Sequence, residues 1–517
     1  MSIAQTEERR QQIQQEIDAH KSLEDRRNRG QFATPHDLAR QIVSASLPYL
    51  SNRERLSVLE PSMGTGSFVS AALETLGERI GQVVGYEIDP DFYEAAKRLW
   101  SRFPIDVKHA DFTHGEASPT FDLVVANPPY VRHHKIDSVE KRRLQALVKR
   151  QTGLSISGLA GLYCYFLLMS QAWMRVGALG VWLLPSEWMS VNYGGVLREF
   201  FTKKVRLLRV HQFDAADVQF SDALVSSCVV LFSNLPPNGE NVAFTYGPSV
   251  ENPMKKKDVD VAFLSQSAKW ASPNDVQEEK TEGLKLGDFF DIRRGIATGD
   301  NEFFVLTESE ASERKIPRDF LRPILPSPRY LKVDHIESDS DGLPTNAERR
   351  YLLDCTGFVM DDLPDNVRSY LLSGAELTGR RNLCSSRKVW YDQEQREATP
   401  FLCSYMGRGK RGSTPVRFIL NETKAIALNS FLMLYPKWQL AKFIDGNVDR
   451  VKSIWQCLLQ IDAHAIIVHG RTYGGGLQKV EPKELASIPC RALQHWMMAQ
   501  GVEFSHVEKN GQLRLFA

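Results

Sequence analysis

Short apolar runs alternate with longer amphipathic stretches from about Gln31 to Ser233. Helical periodicity is visible between the runs, for example over Asp91–Ser101 and Leu162–Met174. The runs that favour strands are Ser57–Leu59, Gln82–Tyr86, Leu123–Ala126, Gly180–Leu184, Leu207–Gln212 and Ser227–Phe232. Alternating strands and helices predict an α/β fold in which a doubly wound, mostly parallel sheet is covered on both faces.

The remaining segments have a different pattern. Residues 2–29 are rich in Glu, Gln and Arg and predict a surface helix, whereas residues 235–281 resemble a linker with one strand at Asn241–Tyr246. After Leu284 the alternation is lost, which indicates a mixed α+β domain with a few helices such as Asn421–Leu434. We therefore predict an N-terminal extension (1–29), an α/β domain (30–250), a linker (251–283) and a second domain (284–517).

The composition of the chain limits the class of protein and its expected cellular location. The chain has 517 residues, of which 42% are hydrophobic and 25% charged, as in ordinary globular proteins of several domains. The seven cysteines are scattered without a C-x-x-C pair, which argues against a disulfide framework or a zinc site. The most apolar stretch, Leu159–Leu184, is interrupted by polar residues, and residues 2–30 carry no apolar core of a signal peptide. We expect a cytoplasmic protein without a metal.

A glycine-rich turn joins the first predicted strand to a helix, in Ser57-Val-Leu-Glu-Pro-Ser-Met-Gly-Thr-Gly-Ser-Phe68. Gly64 and Gly66 allow the backbone to approach a ligand closely. Glu87 ends the next strand, where doubly wound folds place an acid that holds ribose hydroxyls. Asp111 could accept a hydrogen bond from an adenine amino group, with Phe112 against the ring. The turn lacks the third glycine of a dinucleotide site and the lysine of a phosphate loop, which favours a nucleoside cofactor without a pyrophosphate.

The tetrapeptide Asn127-Pro-Pro-Tyr130 follows the strand Leu123–Ala126 directly. The exocyclic amine of a base is a poor nucleophile because its lone pair is delocalised into the ring. Two acceptors on its N–H bonds, the Asn127 side-chain oxygen and the Pro128 carbonyl, would turn the lone pair towards a methyl group. Pro129 restricts the backbone here, and Tyr130 offers a face for stacking. A sulfonium donor would supply the leaving group, so the protein contributes orientation and desolvation.

Together these motifs resemble the gamma-class amino-methyltransferases of bacterial restriction–modification systems, in a TaqI-like layout. The resemblance implies a class I, Rossmann-like domain that binds S-adenosyl-L-methionine, followed by a DNA target-recognition domain. It implies that an aromatic residue packs on the flipped base, at Phe220 or, as competitors, Trp188 and Tyr193. The implied cofactor residues are Thr34, in the leading segment Gly30–Pro35, together with Glu60, Pro61, Ser62, Gly64, Gly66, Glu87, Asp111 and Phe112. The implied catalytic residues are Asn127, Pro128, Pro129 and Tyr130.

The likeness continues into the second half. Arg293–Phe304, Ala427–Ser430 and Gly470–Leu485 resemble recognition domains of this group, the last being similar to PstI-type enzymes. Basic residues cluster after the tetrapeptide, in residues 132–150, and again in residues 380–424. Such clusters suit phosphate contacts that set affinity without reading bases. The candidate DNA contacts are Arg132, Arg408, Lys410 and Arg411.

The expected activity is methylation of adenine N6 in a short duplex DNA sequence by a monomer, protecting that DNA from a separate cognate endonuclease. The same tetrapeptide chemistry serves cytosine N4, RNA bases and the glutamine side chain of a protein substrate. Glutamine methyltransferases of this type are much smaller, and a non-enzymatic scaffold would be expected to have decayed motifs. A fused restriction enzyme is disfavoured because only about 30 residues precede the α/β domain.

Overall fold

The computed structural model describes residues 2–50, 52–213, 226–267, 269–270, 283–409, 414–473 and 477–502. The chain forms two compact units. The first contains Met1–Glu278 and Thr472–Gly476, and the second contains Glu279–Arg471 and Leu477–Ala517. Across the described ranges, none of the helices combines the length and the apolar character needed to cross a membrane.

The first unit contains alternating helices and strands. The helices are α1 (Ile3–His20), α2 (Leu23–Arg29), α3 (His36–Ser44), α4 (Ser67–Leu76), α5 (Pro90–Leu99), α6 (Ser138–Thr152), α7 (Leu162–Ser170), α8 (Gly195–Lys203) and α9 (Val261–Gln266). The strands are β1 (Leu56–Glu60), β2 (Ile80–Glu87), β3 (Ile105–His109), β4 (Phe121–Ala126), β5 (Met174–Pro185), β6 (Arg206–Gln212), β7 (Ser227–Ser233), β8 (Val242–Tyr246) and β9 (Lys255–Val259).

These strands form one nine-stranded sheet in the order β3-β2-β1-β4-β5-β7-β6-β8-β9. The first five strands of this order, from β3 through β2, β1 and β4 to β5, run parallel to one another. Strand β7 is antiparallel to both of its neighbours, β5 and β6. Alternate residues of the fully buried β4 enter two separate hydrophobic cores: Val124 and Ala126 lie in one, Leu123 and Val125 in the other. Successive side chains of a strand point to opposite faces, so the sheet is covered on both sides. The predicted doubly wound α/β class is confirmed.

The predicted strands of this unit all form, and the differences lie in their extent and in two additions. Strand β5 begins at Met174, earlier than the predicted Gly180. Strand β3 was not predicted, because its partly exposed residues do not form an apolar run. Strand β9 and helix α9 lie inside residues 251–283, which the composition indicated as a linker. Strand β9 pairs with β8 at the sheet edge, and its exposed lysines hide it from a hydrophobicity pattern.

The second unit has shorter elements. Its helices are α10 (Leu286–Phe289), α11 (Asn301–Phe304), α12 (Glu308–Glu313), α13 (Asp365–Gly374), α14 (Asn382–Ser385), α15 (Trp438–Ile444), α16 (Val448–Leu459), α17 (Ala463–His469), α18 (Pro482–Ala486) and α19 (Arg491–Ala499). Its strands are β10 (Phe290–Arg294), β11 (Val305–Thr307), β12 (Leu321–Ile324), β13 (His335–Ile336), β14 (Arg350–Leu353), β15 (Phe401–Ser404), β16 (Met406–Gly407), β17 (Phe418–Asn421) and β18 (Phe431–Pro436). The chain also forms β19 (Arg471–Tyr473) and β20 (Leu477–Lys479).

A five-stranded sheet, β10-β18-β15-β17-β13, organises this unit, with smaller sheets beside it. The mixed α+β character is as expected, but the predicted helix Asn421–Leu434 is wrong. Its first residue ends β17 and its last residues belong to β18, both of which pair with β15. The apolar residues of 425–434 look helical in spacing, but they are divided between a loop and a strand whose partners lie elsewhere in the chain.

Candidate active site

The glycine-rich turn lies between the end of β1 at Glu60 and the start of α4 at Ser67. Gly64 and Gly66 both have positive φ, +56° and +93°. A Cβ on Gly66 would lie 2.5 Å from the Trp100 indole nitrogen, so packing restricts this position to glycine. A Cβ on Gly64 would meet nothing within 4 Å. Gly64 therefore presents bare backbone to open space, as a position that approaches a ligand should.

Glu87 closes β2 beside this turn. Its two carboxylate oxygens accept hydrogen bonds from the backbone N–H groups of Gly64, at 2.7 Å, and Asp89, at 2.8 Å. Burial raises the pKa of Glu87, although these two N–H groups oppose the shift. Each carboxylate oxygen can accept a further bond, so the side chain is oriented and retains acceptor capacity for hydroxyl groups.

Asp111 and Phe112 follow the end of β3, but they differ in their surroundings. The Asp111 carboxylate accepts from the Thr113 backbone N–H at 2.8 Å and remains partly exposed. Phe112 is 1% exposed and packs among aromatic rings such as Tyr86 and Trp173, with one surface towards the cavity described below. Asp111 also lies near two other possible metal ligands, His114 and Glu140. His114 is exposed and Glu140 bonds Arg143, so we assign no metal there.

Asn127, directly after β4, has an oriented side-chain amide. Its Nδ2 donates to the Phe32 carbonyl and to the Thr34 hydroxyl, both at 3.1 Å. A carboxamide has two N–H donors and both are used here. The Oδ1 atom is buried and accepts no hydrogen bond from any described residue. A buried acceptor without a donor is costly, and the oriented oxygen is therefore available to a donor on a ligand.

The backbone of the tetrapeptide contacts the leading segment closely. Gly30 has φ +67°, and a Cβ there would lie 2.4 Å from the Tyr130 backbone nitrogen. The Tyr130 hydroxyl donates to the Leu183 carbonyl at 3.2 Å, and its ring centroid lies 6.1 Å from that of Phe32. Burial raises the pKa of Tyr130 well above its ordinary value. The Tyr130 hydroxyl is therefore neutral at ordinary pH.

A cavity of about 490 Å³ brings most of the predicted residues together. The predicted residues that line it are Pro61, Ser62, Gly64, Glu87, Asp111, Phe112, Asn127 and Pro129. A second cavity of about 60 Å³ is lined by Thr34 and Glu60 and shares Ser62, Gly64 and Asn127 with the first. Pro128 is buried beside Asn127, and Gly66 supports the turn from behind. The larger volume suits a nucleoside-sized ligand, and its lining offers the acceptors that such a ligand needs.

The N-terminal helices contribute residues to this site that the sequence pattern did not reveal. Gln14, Asp18 and Arg29 line the larger cavity. Residues 2–29 were predicted as a surface helix, but Glu7 and Arg10 are buried, at 4% and 3% exposure. Polar residues that line a cavity have the same sequence pattern as a solvated face, so hydrophobic periodicity could not identify them. The glutamines among residues 2–29 were the one compositional signal.

The predicted DNA contacts are described only in part. Arg132 is exposed and follows the tetrapeptide, at the start of the turn His133–Lys135. Arg408 is exposed in the second unit. Lys410, Arg411 and the predicted base-stacking residue Phe220 lie outside the described residues. Of the two competitors for stacking, Trp188 is fully buried against Phe201 and Trp270, which indicates a core position. The Tyr193 hydroxyl contacts Glu187.

Comparison with known proteins supports the same interpretation. Residues 82–219 match the Eco57I restriction-modification methylase family. Residues 262–512 match the C-terminal domain of the Type II methyltransferase M.Eco57I. The first match begins within β2, after the glycine-rich turn, and the second covers most of the second unit.

Individual relatives align over nearly the whole length. Type II methyltransferase M.AccI of Acinetobacter calcoaceticus is 26% identical over 90% of this chain and 85% of its own. Type II methyltransferase M.XamI of Xanthomonas campestris pv. amaranthicola is 25% identical over 85% of this chain and 81% of its own. The type IIL restriction-modification enzyme MmeI, solved in complex with DNA, shares the fold with a TM-score of 0.50 at 12% identity, over 94% of this chain and 73% of its own. The chain thus contains Eco57I-type restriction–modification methylase domains and is an S-adenosylmethionine-dependent DNA methyltransferase.

Proposed function

We propose that this enzyme transfers the methyl group of S-adenosylmethionine to the N6 amine of an adenine within a short, specific duplex sequence. The observation that carries the proposal is the Asn127 amide. Its Nδ2 is held by Phe32 and Thr34, while the buried Oδ1 has no donor among the described residues. An acceptor with this orientation suits a ligand that brings an amino group and no negative charge.

The residues of the chain activate the amine by orientation. Asn127 Oδ1 accepts one N–H of the target amine and the Pro128 carbonyl accepts the other, which makes the nitrogen more tetrahedral and directs its lone pair. Ser62 donates to the Asn127 carbonyl at 2.9 Å and so joins the tetrapeptide to the glycine turn. The cofactor, when bound, would supply an electrophilic methyl group on sulfur: the carbon–sulfur bond breaks as the carbon–nitrogen bond forms, the sulfur leaves as the neutral thioether S-adenosylhomocysteine, and the methylated nitrogen loses one proton to solvent. The protein needs no covalent nucleophile, since holding the two reactants in line lowers the barrier by itself.

The residues that line the cavity suggest where each part of the cofactor binds. The Gly64 turn leaves room for close approach, Glu87 retains acceptor capacity for the ribose hydroxyls, and Asp111 with Phe112 borders the space for the adenine ring. The target base would leave the duplex stack to reach Asn127, at a cost of a few kcal/mol. We propose that Tyr130 and Phe220 stack on the flipped base.

Sequence choice and DNA affinity are assigned to different groups of residues. We propose that Arg132 neutralises phosphate beside the flipped base. Base reading belongs to the second unit, with Arg408, Lys410 and Arg411 as candidates. The proposed setting is a cytoplasmic monomer that acts on double-stranded DNA, with a separate endonuclease of the same specificity from which methylation protects the DNA.

Product analysis tests the proposal. A plasmid treated with the purified enzyme and S-adenosylmethionine is digested to nucleosides, and methylated positions are mapped by sequencing. We expect N6-methyladenine at one recurring short sequence. Finding N4-methylcytosine instead would show that cytosine is the target base, because its exocyclic amine can reach the same two acceptors. Methylated RNA or protein without methylated DNA would contradict the proposed substrate.

A further inference from the structure

A buried arginine on the N-terminal helix faces the smaller of the two cavities. Arg10, on α1, is 3% exposed. Its Nε and Nη2 donate to the Glu7 carboxylate at 2.7 and 2.6 Å, and its Nη1 donates to the Thr65 hydroxyl at 3.0 Å. A guanidinium has five N–H donors. Each terminal nitrogen of Arg10 thus retains one N–H beyond these three bonds.

The cavity that Arg10 lines also contains a buried carboxyl group. Glu60, the last residue of β1, is 2% exposed and lines the same space. Its Oε2 is buried and has no hydrogen-bond partner among the described residues. Burial raises the pKa of Glu60 well above its ordinary value, although the positive charge of Arg10 opposes the shift. A cationic donor and a carboxyl group with an unused acceptor oxygen thus border one small polar cavity.

The position of this cavity relates it to the cofactor. It shares Gln14, Ser62, Gly64 and Asn127 with the larger cavity, so the two are continuous near the tetrapeptide. With a volume of about 60 Å³, it is too small for a nucleoside and suits only a few heavy atoms. A ligand whose nucleoside fills the larger cavity would place its short charged end here.

We propose that Arg10 binds the α-carboxylate of the methionine part of the cofactor, with its α-ammonium directed to Glu60 Oε2. A zwitterionic amino-acid end matches the two groups, because its carboxylate faces the Arg10 guanidinium and its ammonium favours the ionised form of Glu60. Burial makes both contacts stronger than they would be in water, because the surroundings screen them less. The proposal rests on S-adenosylmethionine as the cofactor and not on which base is methylated.

A ligand series separates this role from a structural one. S-Adenosylhomocysteine carries both charged groups. Its decarboxylated analogue carries only the ammonium, and 5′-deoxy-5′-methylthioadenosine carries neither. Titration calorimetry is performed with each on the wild type, on Arg10→Gln and on Arg9→Gln. Arg9 is a matched control because it lies on the same helix with its side chain 50% exposed.

We expect Arg10→Gln to weaken S-adenosylhomocysteine binding about 10- to 100-fold, the range of charge-assisted hydrogen bonds. Binding of the two ligands without a carboxylate should change less than about threefold, and Arg9→Gln should bind all three as the wild type does. An equal loss for all three ligands, or no loss for S-adenosylhomocysteine, would overturn the proposal.

Arg10 also pairs with Glu7, so the glutamine variant could lose the fold of α1. Arg10→Lys then decides, because it keeps the charge beside Glu7 but presents a single ammonium in place of a two-nitrogen fork. We expect this variant to bind methylthioadenosine like the wild type and S-adenosylhomocysteine several-fold more weakly. Equal affinity ratios in Arg10→Lys and the wild type would overturn the assignment. If instead no adenosine ligand of the series bound even the wild type, the cofactor itself would be wrong.

Discussion

Replacing Thr34 by valine removes a hydroxyl group and leaves the side-chain volume nearly unchanged. In the structure that hydroxyl accepts one of the two Asn127 Nδ2 hydrogens, at 3.1 Å, and Thr34 is 7% exposed. The Ser67 hydroxyl donates to the Thr34 backbone carbonyl, and a change of the Thr34 side chain leaves this bond in place. The substitution therefore acts mainly on the orientation of the Asn127 amide.

The size of the effect follows from one neutral hydrogen bond. Such a bond contributes about 0.5–1.5 kcal/mol, and about 1.36 kcal/mol corresponds to a tenfold rate change. If the amide oxygen acts on the amine in the transition state, Thr34→Val should slow methyl transfer by about 2- to 12-fold. Thr34→Ser keeps an acceptor oxygen and should remain within about twofold of the wild type.

The assay is single-turnover methyl transfer at saturating DNA and cofactor, with cofactor affinity measured separately because Thr34 also lines the smaller cavity. Saturation removes any change in affinity from the measured rate. A wild-type rate in Thr34→Val would refute the orienting role of Thr34. Equal losses in the serine and valine variants would show that the hydroxyl bond is not the cause.

Two other predictions concern the backbone and a buried acid. Gly30→Ala and Gly153→Ala both place alanine at a left-handed helix C-cap, with φ +67° and +74°, at a cost of about 1–2 kcal/mol each. Only Gly30→Ala also puts a Cβ against the Tyr130 backbone. Denaturant unfolding should therefore show a larger loss of stability for Gly30→Ala than for Gly153→Ala, and methyl transfer by the folded protein should fall only in Gly30→Ala. Equal stability losses and equal activities would contradict the close contact. For Glu60, whose raised pKa keeps it protonated above the usual carboxyl range, binding of a cofactor ammonium requires loss of that proton. The affinity for S-adenosylhomocysteine should therefore rise as the pH increases through the raised pKa of Glu60 and level off once Glu60 is ionised. Glu60→Gln should abolish the rise, and a flat profile in the wild type would exclude the linkage.

The sequence predicted most strands of the central sheet and the convergence of the motif residues on one cavity. Buried strands such as β4 appear as continuous apolar runs, and their carboxyl ends meet at one edge of a parallel sheet. Motif residues at those ends or directly after them, such as Glu87 and Asn127, therefore had to lie near one another. Strand β3 and strand β9 escaped prediction because sheet-edge strands are partly exposed and do not show the pattern.

Contacts between distant polar residues were not predictable. Arg10 meets Thr65 across 55 positions of the chain, and the Asn127 amide meets Thr34 across 93. The resemblance implied that Thr34 contacts the cofactor. In the structure Thr34 lines the smaller cavity, and its hydroxyl accepts a hydrogen bond from the Asn127 amide, which the resemblance did not imply. Hydrophobic periodicity carries no information on which polar side chains pair, so the closure of the cavity by α1 and the orientation of Asn127 became visible only in three dimensions.

Asn127→Ala provides the most direct test of the account. It removes the buried acceptor Oδ1 while leaving Glu87, Asp111 and the glycine turn in place. Loss of one preorganised hydrogen-bonding group in an active site costs about 10²- to 10³-fold in rate. The account predicts that single-turnover methyl transfer falls by at least about 100-fold, with calorimetry showing unchanged affinity for S-adenosylhomocysteine. Transfer within about threefold of the wild type would contradict the role of Asn127 as the acceptor that activates the amine.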